Sequence, residues 1–270
     1  MSEPQSPIPD GTSDNPQPPI PDGTSNNPQS LTILHTPVHP VTITQTLELV
    51  QRFAAEPRLH QLCTTNPEFV MAAQHDADFR RILWQADLCL ADGIGLVWAS
   101  RWLGRPLPER VPGSELVYHL ARLAAGNGWR LFLLGAAPGV AEAAAAVFQR
   151  QNPNLIIAGT YAGSPDPAEN DAIVRRINDS RAHVLFVAYG APHQDKWIAR
   201  NRHAFDTVRV AIGVGGALDF VSGRAMRAPQ WLQKLGLEWL HRLIRQPWRW
   251  RRMLALPRFA LQVFVSRWQT

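Results

Sequence analysis

Residues 131–150 read LFLLGAAPGVAEAAAAVFQR, an apolar run, a turn bounded by Gly135 and Gly139, and an Ala-rich stretch of helical character. A short, continuous apolar run closed by turn residues is the mark of a strand covered on both faces, and such strands belong to parallel sheets. The same alternation recurs on either side of it. Strands are predicted near 31–35, 59–63, 87–91, 130–134, 155–159, 184–188 and 208–212. Helices are predicted near 44–55, 67–74, 78–85, 94–103, 114–127, 140–151, 168–180 and 195–203, with Ser114 as a cap before Glu115 and Pro67 in a first turn after Asn66. The reading is an α/β fold: a mainly parallel, Rossmann-like sheet with helices on both faces. In such sheets ligands bind beyond the carboxyl ends of the strands, and the residues there are polar or Gly-rich: Thr64-Thr65-Asn66-Pro67, Asp92-Gly93, Gly135 to Gly139, Gly190 to Gln194 and Gly213 to Asp219.

The flanks differ from this body. Residues 1–30 hold eight of the 23 prolines, four acids and no Lys or Arg, and contain the pair IPDGTSDNPQ (8–17) and IPDGTSNNPQ (20–29). With hardly any large apolar side chains the segment cannot offset its ordering entropy, and a disordered leader is expected. Residues 31–228 form the expected catalytic body, with 19 bases against 17 acids. Residues 229–270 carry eight bases against Glu238 alone and five of the ten tryptophans, so the net charge of +5 belongs to the tail. A helix is expected from Trp231 to Gln246, with Lys234, His241 and Arg245 in one narrow basic stripe on an otherwise apolar surface, then a break at Pro247 and a second amphipathic piece after Pro257. Three readings of this tail compete: an anionic bilayer surface, nucleic acid, or packing against the body or a second subunit. No nucleic-acid module accompanies it.

Composition removes other classes. Cys63 and Cys89 form no C-x-x-C, and the N-terminus lacks a signal-peptide pattern, so a reducing cytoplasm is expected. No apolar run reaches the roughly 18–20 residues of a membrane span. There is no H-E-x-x-H, G-x-G-x-x-G, P-loop or G-x-S-x-G, and His35 and His39 are separated by Pro37 in an extended segment, so no metal site is expected.

Several single residues allow two readings. Asp92, directly after a strand, is either a general base or a helix cap. Arg110, in PERVPGSEL, either grips a diphosphate bidentately or is a solvated loop arginine. Gln194 either reads sugar hydroxyls or satisfies loop backbone, and Asp219 either holds a ribose diol or caps a helix. The turn at Gly135 either places N–H groups on a phosphate or is a plain tight turn.

Taken together, TTNPEFV, DGIGLVW, ERVPGSEL, LFLLGAAPGVAE, GAPHQDKW, GVGGALDFVSG and RAPQWLQKLGLEWLHRL, in this order from Leu31 onward, resemble the bacterial WecG/TagA/CpsF glycosyltransferases, glycosyltransferase family 26. The resemblance implies an inverting, metal-independent transfer from a UDP-sugar to a polyprenyl-diphosphate-linked sugar in the synthesis of cell-surface polymers. The enzyme would lie peripherally on the inner face of the plasma membrane. It implies Asp92 as general base, Thr64 and Asn66 beside donor sugar and acceptor, Arg110 near the phosphates, Gln194 on sugar hydroxyls and Asp219 on the uridine. It also implies a tail that closes over the site and lends Arg242, Arg249 and Arg252 to the diphosphate. Homo-oligomer formation stays open. One departure stands out: where the family often carries an aromatic after the glycine matching Gly163, this chain has Ser164 and Pro165, which leaves Tyr161 as the nearest ring.

Overall fold

The computed structural model describes residues 28–229, 232, 238–245, 247 and 250–267. Residues 1–27 of the leader, Arg249, the side chain of Arg242 and Trp231, residues 233–237 and Gln246 of the expected helix lie outside them.

A six-stranded, all-parallel sheet runs β4-β3-β8-β7-β5-β6, formed by β3 (His60–Thr65), β4 (Leu88–Ala91), β5 (Arg130–Gly135), β6 (Ile156–Tyr161), β7 (Val184–Ala188) and β8 (Val210–Gly213). The 31–35 segment is a correction. It is not a strand of this sheet but half of a separate antiparallel hairpin, β1 (Leu31–Ile33) and β2 (Thr36–Val38), whose turn residues Leu34 and His35 have φ of 46° and 59°. Left-handed turn residues are ordinarily Gly or Asn, which is why the turn leaves no mark in the sequence.

Alternate residues of each strand point to opposite faces. Leu131, Leu133, Val184 and Phe186 pack under α1 (Ile43–Ala55), α5 (Gly113–Asn127), α6 (Val140–Gln151) and α9 (Ala217–Val221). Phe132, Leu134, Leu185 and Val187 pack against α7 (Asn170–Asp179) and α8 (His193–Arg200). Cys63 and Cys89, register partners on β3 and β4, join the side chains of α2 (Pro67–His75) and α3 (Ala77–Gln85).

Asn66 caps α2 by accepting the Phe69 N–H at 3.0 Å, with Pro67 in the first turn as expected. Ser114 is not a cap: α5 begins at Gly113, with Pro112 before it, so Ser114 lies inside the first turn. In the tail, α10 (Glu238–Arg245) and α11 (Trp250–Met253) precede α12 (Ala255–Ser266). The last helix starts before Pro257, not after it, because proline is tolerated in a first turn. Phe259 and Val263 of α12 are buried with Leu96 and Ala99 of α4 (Ile94–Trp102) and Val70 of α2, so this part of the tail belongs to the core of the body.

Candidate active site

The carboxyl ends of β3, β4 and β8 and the β7–α8 loop open on a cavity of about 720 Å³. It gathers Thr64, Asn66, Asp92, Arg110, Gln194 and Arg252. Gly135 and Asp219 are not among its lining residues.

Asp92 lies at the cavity floor, placed by the backbone bond of its own N–H to Thr65 O at 2.7 Å. Of its two readings, capping the helix that follows is excluded: Gly93 holds the cap position before α4 with no side-chain cap bond, and Asp92 Oδ2 instead accepts the Gly113 N–H at 3.1 Å. Among the described residues nothing donates to Oδ1. Burial pushes the pKa of Asp92 up to about 6; Gly113 N–H and Arg110 pull against it, whereas the carboxylates of Glu238 and Glu115 add to it. A carboxylate of that pKa sits where a general base is effective near neutral pH.

Arg110 is held loosely. Its guanidinium lies 3.8 Å from Glu115 and 3.8 Å from Glu238, while Arg227 approaches the same two carboxylates at 2.7 and 3.4 Å. Glu238 belongs to α10, so this four-residue network ties the tail to the cavity beside Asp92. Arg252 pairs with Glu68 of α2 at 2.6 Å on the cavity's other side. The loose contacts leave Arg110 donors available to an incoming anion.

Gln194 is 1 % exposed, and its Oε1 accepts the N–H groups of Gly190 and Gly215 at 3.2 and 2.9 Å. It satisfies loop backbone, the second of its two readings, and its oxygen is thereby not available to a sugar. Gly213 lies under it: a Cβ there would stand 2.4 Å from Gln194 Nε2. Thr64 Oγ1 donates to Gly213 O at 3.1 Å, so β3 is tied to the same loop. The next residue along α8, Asp195, is fully buried. Burial pushes its pKa up to about 7, with the neighbouring Cys63 and Gln194 pulling against it, and neither carboxylate oxygen has a hydrogen-bond partner in good geometry among the described residues.

Gly135 is required by packing. It has φ of 93°, and a Cβ would meet the Ala188 carbonyl carbon at 2.8 Å, which supports the plain-turn reading of that glycine. Tyr161 packs against Gly163 with the Arg176 guanidinium 4.5 Å above its ring, and it does not line the cavity. Its ring is therefore already engaged. Among the described residues no group of three or more His, Cys, Asp or Glu could hold a metal ion, and no helix is long and apolar enough to cross a membrane.

Sequence reasoning missed Glu115, Glu238 and Arg227, as well as Trp98 and Trp102 of α4, which wall the cavity. The two tryptophans are four apart in IGLVWASRW, but with only Ser100 and Arg101 polar that helix reads as core.

A partly buried carboxylate of raised pKa and a loosely paired arginine lie together at the carboxyl ends of a parallel sheet, an arrangement suited to group transfer involving an anionic substrate. The family model of the WecG/TagA/CpsF glycosyl transferases matches residues 31–270, and the chain belongs to that family. It is 35 % identical over 233 residues, 86 % of its length and 90 % of the relative's, to the N-acetylglucosaminyldiphosphoundecaprenol N-acetyl-beta-D-mannosaminyltransferase of Bacillus subtilis (strain 168). It is 33 % identical over 237 residues, 87 % and 92 % of the two chains, to the protein of the same name from Staphylococcus aureus (strain MRSA252).

Proposed function

We propose that the protein transfers an N-acetylhexosamine or related hexose from a UDP-sugar to a sugar carried on a polyprenyl diphosphate, with inversion and without a metal ion, in the synthesis of a cell-surface polymer at the inner face of the plasma membrane. The names of the relatives support both the acceptor class and an N-acetylmannosamine donor sugar. The observation that carries the reading is Asp92, a cavity-floor carboxylate with one oxygen held by Gly113 and a pKa near 6.

In the proposed reaction an acceptor hydroxyl oxygen attacks the anomeric carbon of the donor as the bond to the UDP oxygen breaks. The hydroxyl proton passes to Asp92 Oδ1. The negative charge growing on the departing diphosphate meets Arg110, which exchanges its 3.8 Å carboxylate contacts for phosphate oxygens, and Arg252 from the tail. Arg242 and Arg249 are proposed for the same task, and Asp219, which does not line the cavity but lies on α9 between its lining residues Ala217 and Phe220, for the uridine. Thr64 and Asn66 shape the sugar end of the cavity.

The test is a panel of UDP-glucose, UDP-N-acetylmannosamine and UDP-N-acetylmannosaminuronic acid, each incubated with a short-chain lipid diphosphate carrying N-acetylglucosamine, with and without EDTA. One donor yields a disaccharide-lipid product of opposite anomeric configuration at a rate that EDTA leaves unchanged. No product from any donor, or product only when a divalent ion is present, contradicts the reading.

A further inference from the structure

The cavity has two chemistries. Its floor is polar, with Thr64, Asn66, Asp92 and Arg110, whereas the wall formed by α4 and α12 is apolar, with Trp98, Trp102, Leu256, Ala260 and Phe264. On α4 the side chains of Leu96, Val97, Ala99 and Ser100 are buried, yet Trp98 and Trp102, one turn apart on the opposite stripe, are 65 % and 41 % exposed. Large indoles left open on the rim of a cavity are the kind of apolar surface that marks a binding site. Phe264 of α12 stacks on Trp102 with ring centroids 5.4 Å apart, and the Arg267 guanidinium lies 4.7 Å from the same ring.

The gap between the two helices is built in advance of any ligand. Phe259 and Val263 anchor α12 in the core, and Gly95 lets α4 approach so closely that a Cβ there would stand 2.8 Å from Pro67 Cγ. Leu261 and Val265 continue the apolar surface outward along α12, and the exposed Arg101, Arg105 and Arg258 lie on or beside the same two helices.

A ligand that fills floor and wall together must be polar and anionic at one end and apolar at the other. A nucleotide sugar has no apolar end, and a folded partner could not reach the floor. We infer that the α4–α12 gap takes the first isoprenoid units of the acceptor, with Trp98 and Trp102 as the residues that select for a lipid-borne acceptor over a soluble one. The inference rests on the acceptor class proposed above and adds to it the place where the lipid leaves the cavity.

Two measurements on the full chain test it. In detergent micelles, acceptors with the same sugar-diphosphate head and a long isoprenoid, a short alkyl or a methyl tail are compared for the wild type, Trp98→Ser/Trp102→Ser and Trp98→Phe/Trp102→Phe. The serine pair raises KM for the long isoprenoid acceptor about tenfold, the scale of losing one large apolar contact. It leaves kcat and the KM of the methyl acceptor within about twofold, and the phenylalanine pair restores most of the loss. Equal changes for all three acceptors, or none, overturn the assignment. Separately, a benzophenone-bearing isoprenyl diphosphate is photocrosslinked to the wild type and the labelled peptides are mapped. Label on α4 and α12 supports the slot, and label elsewhere overturns it. This second readout needs no turnover, so a wild type that transfers nothing but labels α4 and α12 separates failure of the reaction from failure of the slot.

Discussion

The Gly113 N–H, at the start of α5, donates to Asp92 Oδ2 at 3.1 Å, so the start of that helix orients the carboxylate that directly follows β4. Glycine keeps this corner open: a Cβ at residue 113 would lie 2.9 Å from Thr64 Cγ2, where one of the two must shift, and in ordinary contact with Asp92 Oδ2 at 3.4 Å. Gly113→Ala therefore pushes the start of α5 away from Thr64 and loosens the Gly113 N–H that orients the proposed base. Turnover falls by about tenfold or more, since misplacement by a fraction of an ångström is costly to positioned groups, while the fold survives. Steady-state transfer rates beside a thermal melt check this; full activity would show that the carboxylate is not held by this bond.

On the proposed mechanism the same carboxylate sets the pH profile. Only its deprotonated form accepts a proton, so kcat/KM rises with pH through about 6 and levels above it. Because Glu115 raises the pKa and Arg110 lowers it, Glu115→Gln moves the midpoint to lower pH and Arg110→Gln to higher pH. Rate profiles between pH 4.5 and pH 8.5 read both shifts. A midpoint indifferent to both substitutions would place the titrating group elsewhere.

Asp195 makes the fold sensitive to pH in the opposite sense from a paired surface acid. Its folded pKa is near 7, against about 3.9 for an unfolded aspartate. The unfolded chain therefore releases its proton first, and the contribution of Asp195 is favourable at acid pH and lost as pH rises from about 4 to about 7. Asp195→Asn removes that loss. The melting temperature of the variant relative to the wild type rises between pH 5 and pH 8; a constant difference would mean that Asp195 does not titrate in this range.

Gly213 and Gln194 form a close pair, and Gly213→Ala forces the glutamine off its two backbone N–H groups. A stability loss of about 1–3 kcal/mol is expected from overpacking of this kind, with the loop at residue 215 loosened. Chemical denaturation and amide hydrogen exchange at Gly190 and Gly215 measure the two effects.

What the sequence made legible follows from physical locality. LFLLG, VLFVA and the strand ending at Gly213 are buried on both faces, so their apolar runs identify parallel strands without knowledge of neighbours. Thr64, Asn66 and Asp92 follow strands, and parallel order alone brings them to one rim. The hairpin was hidden because Leu34 and His35 make a left-handed turn without the usual residues. The network of Arg110, Glu115, Arg227 and Glu238 was hidden for another reason: Glu238 lies over 100 residues along the chain from Arg110, and nothing local pairs them. Gln194 was legible as a polar residue at a strand end, but whether it faces sugar or backbone depends on Gly190 and Gly215, which only the folded loops bring within reach.

The most direct test of the account is transfer by Asp92→Asn, measured by mass spectrometry of the lipid product, with UDP binding followed by thermal shift on the same preparation. The asparagine keeps the size and the capacity to accept from Gly113 but is not a base. The account predicts a loss of about 10²–10⁴ in the rate of transfer with UDP stabilisation retained. Transfer at the wild-type rate would contradict it.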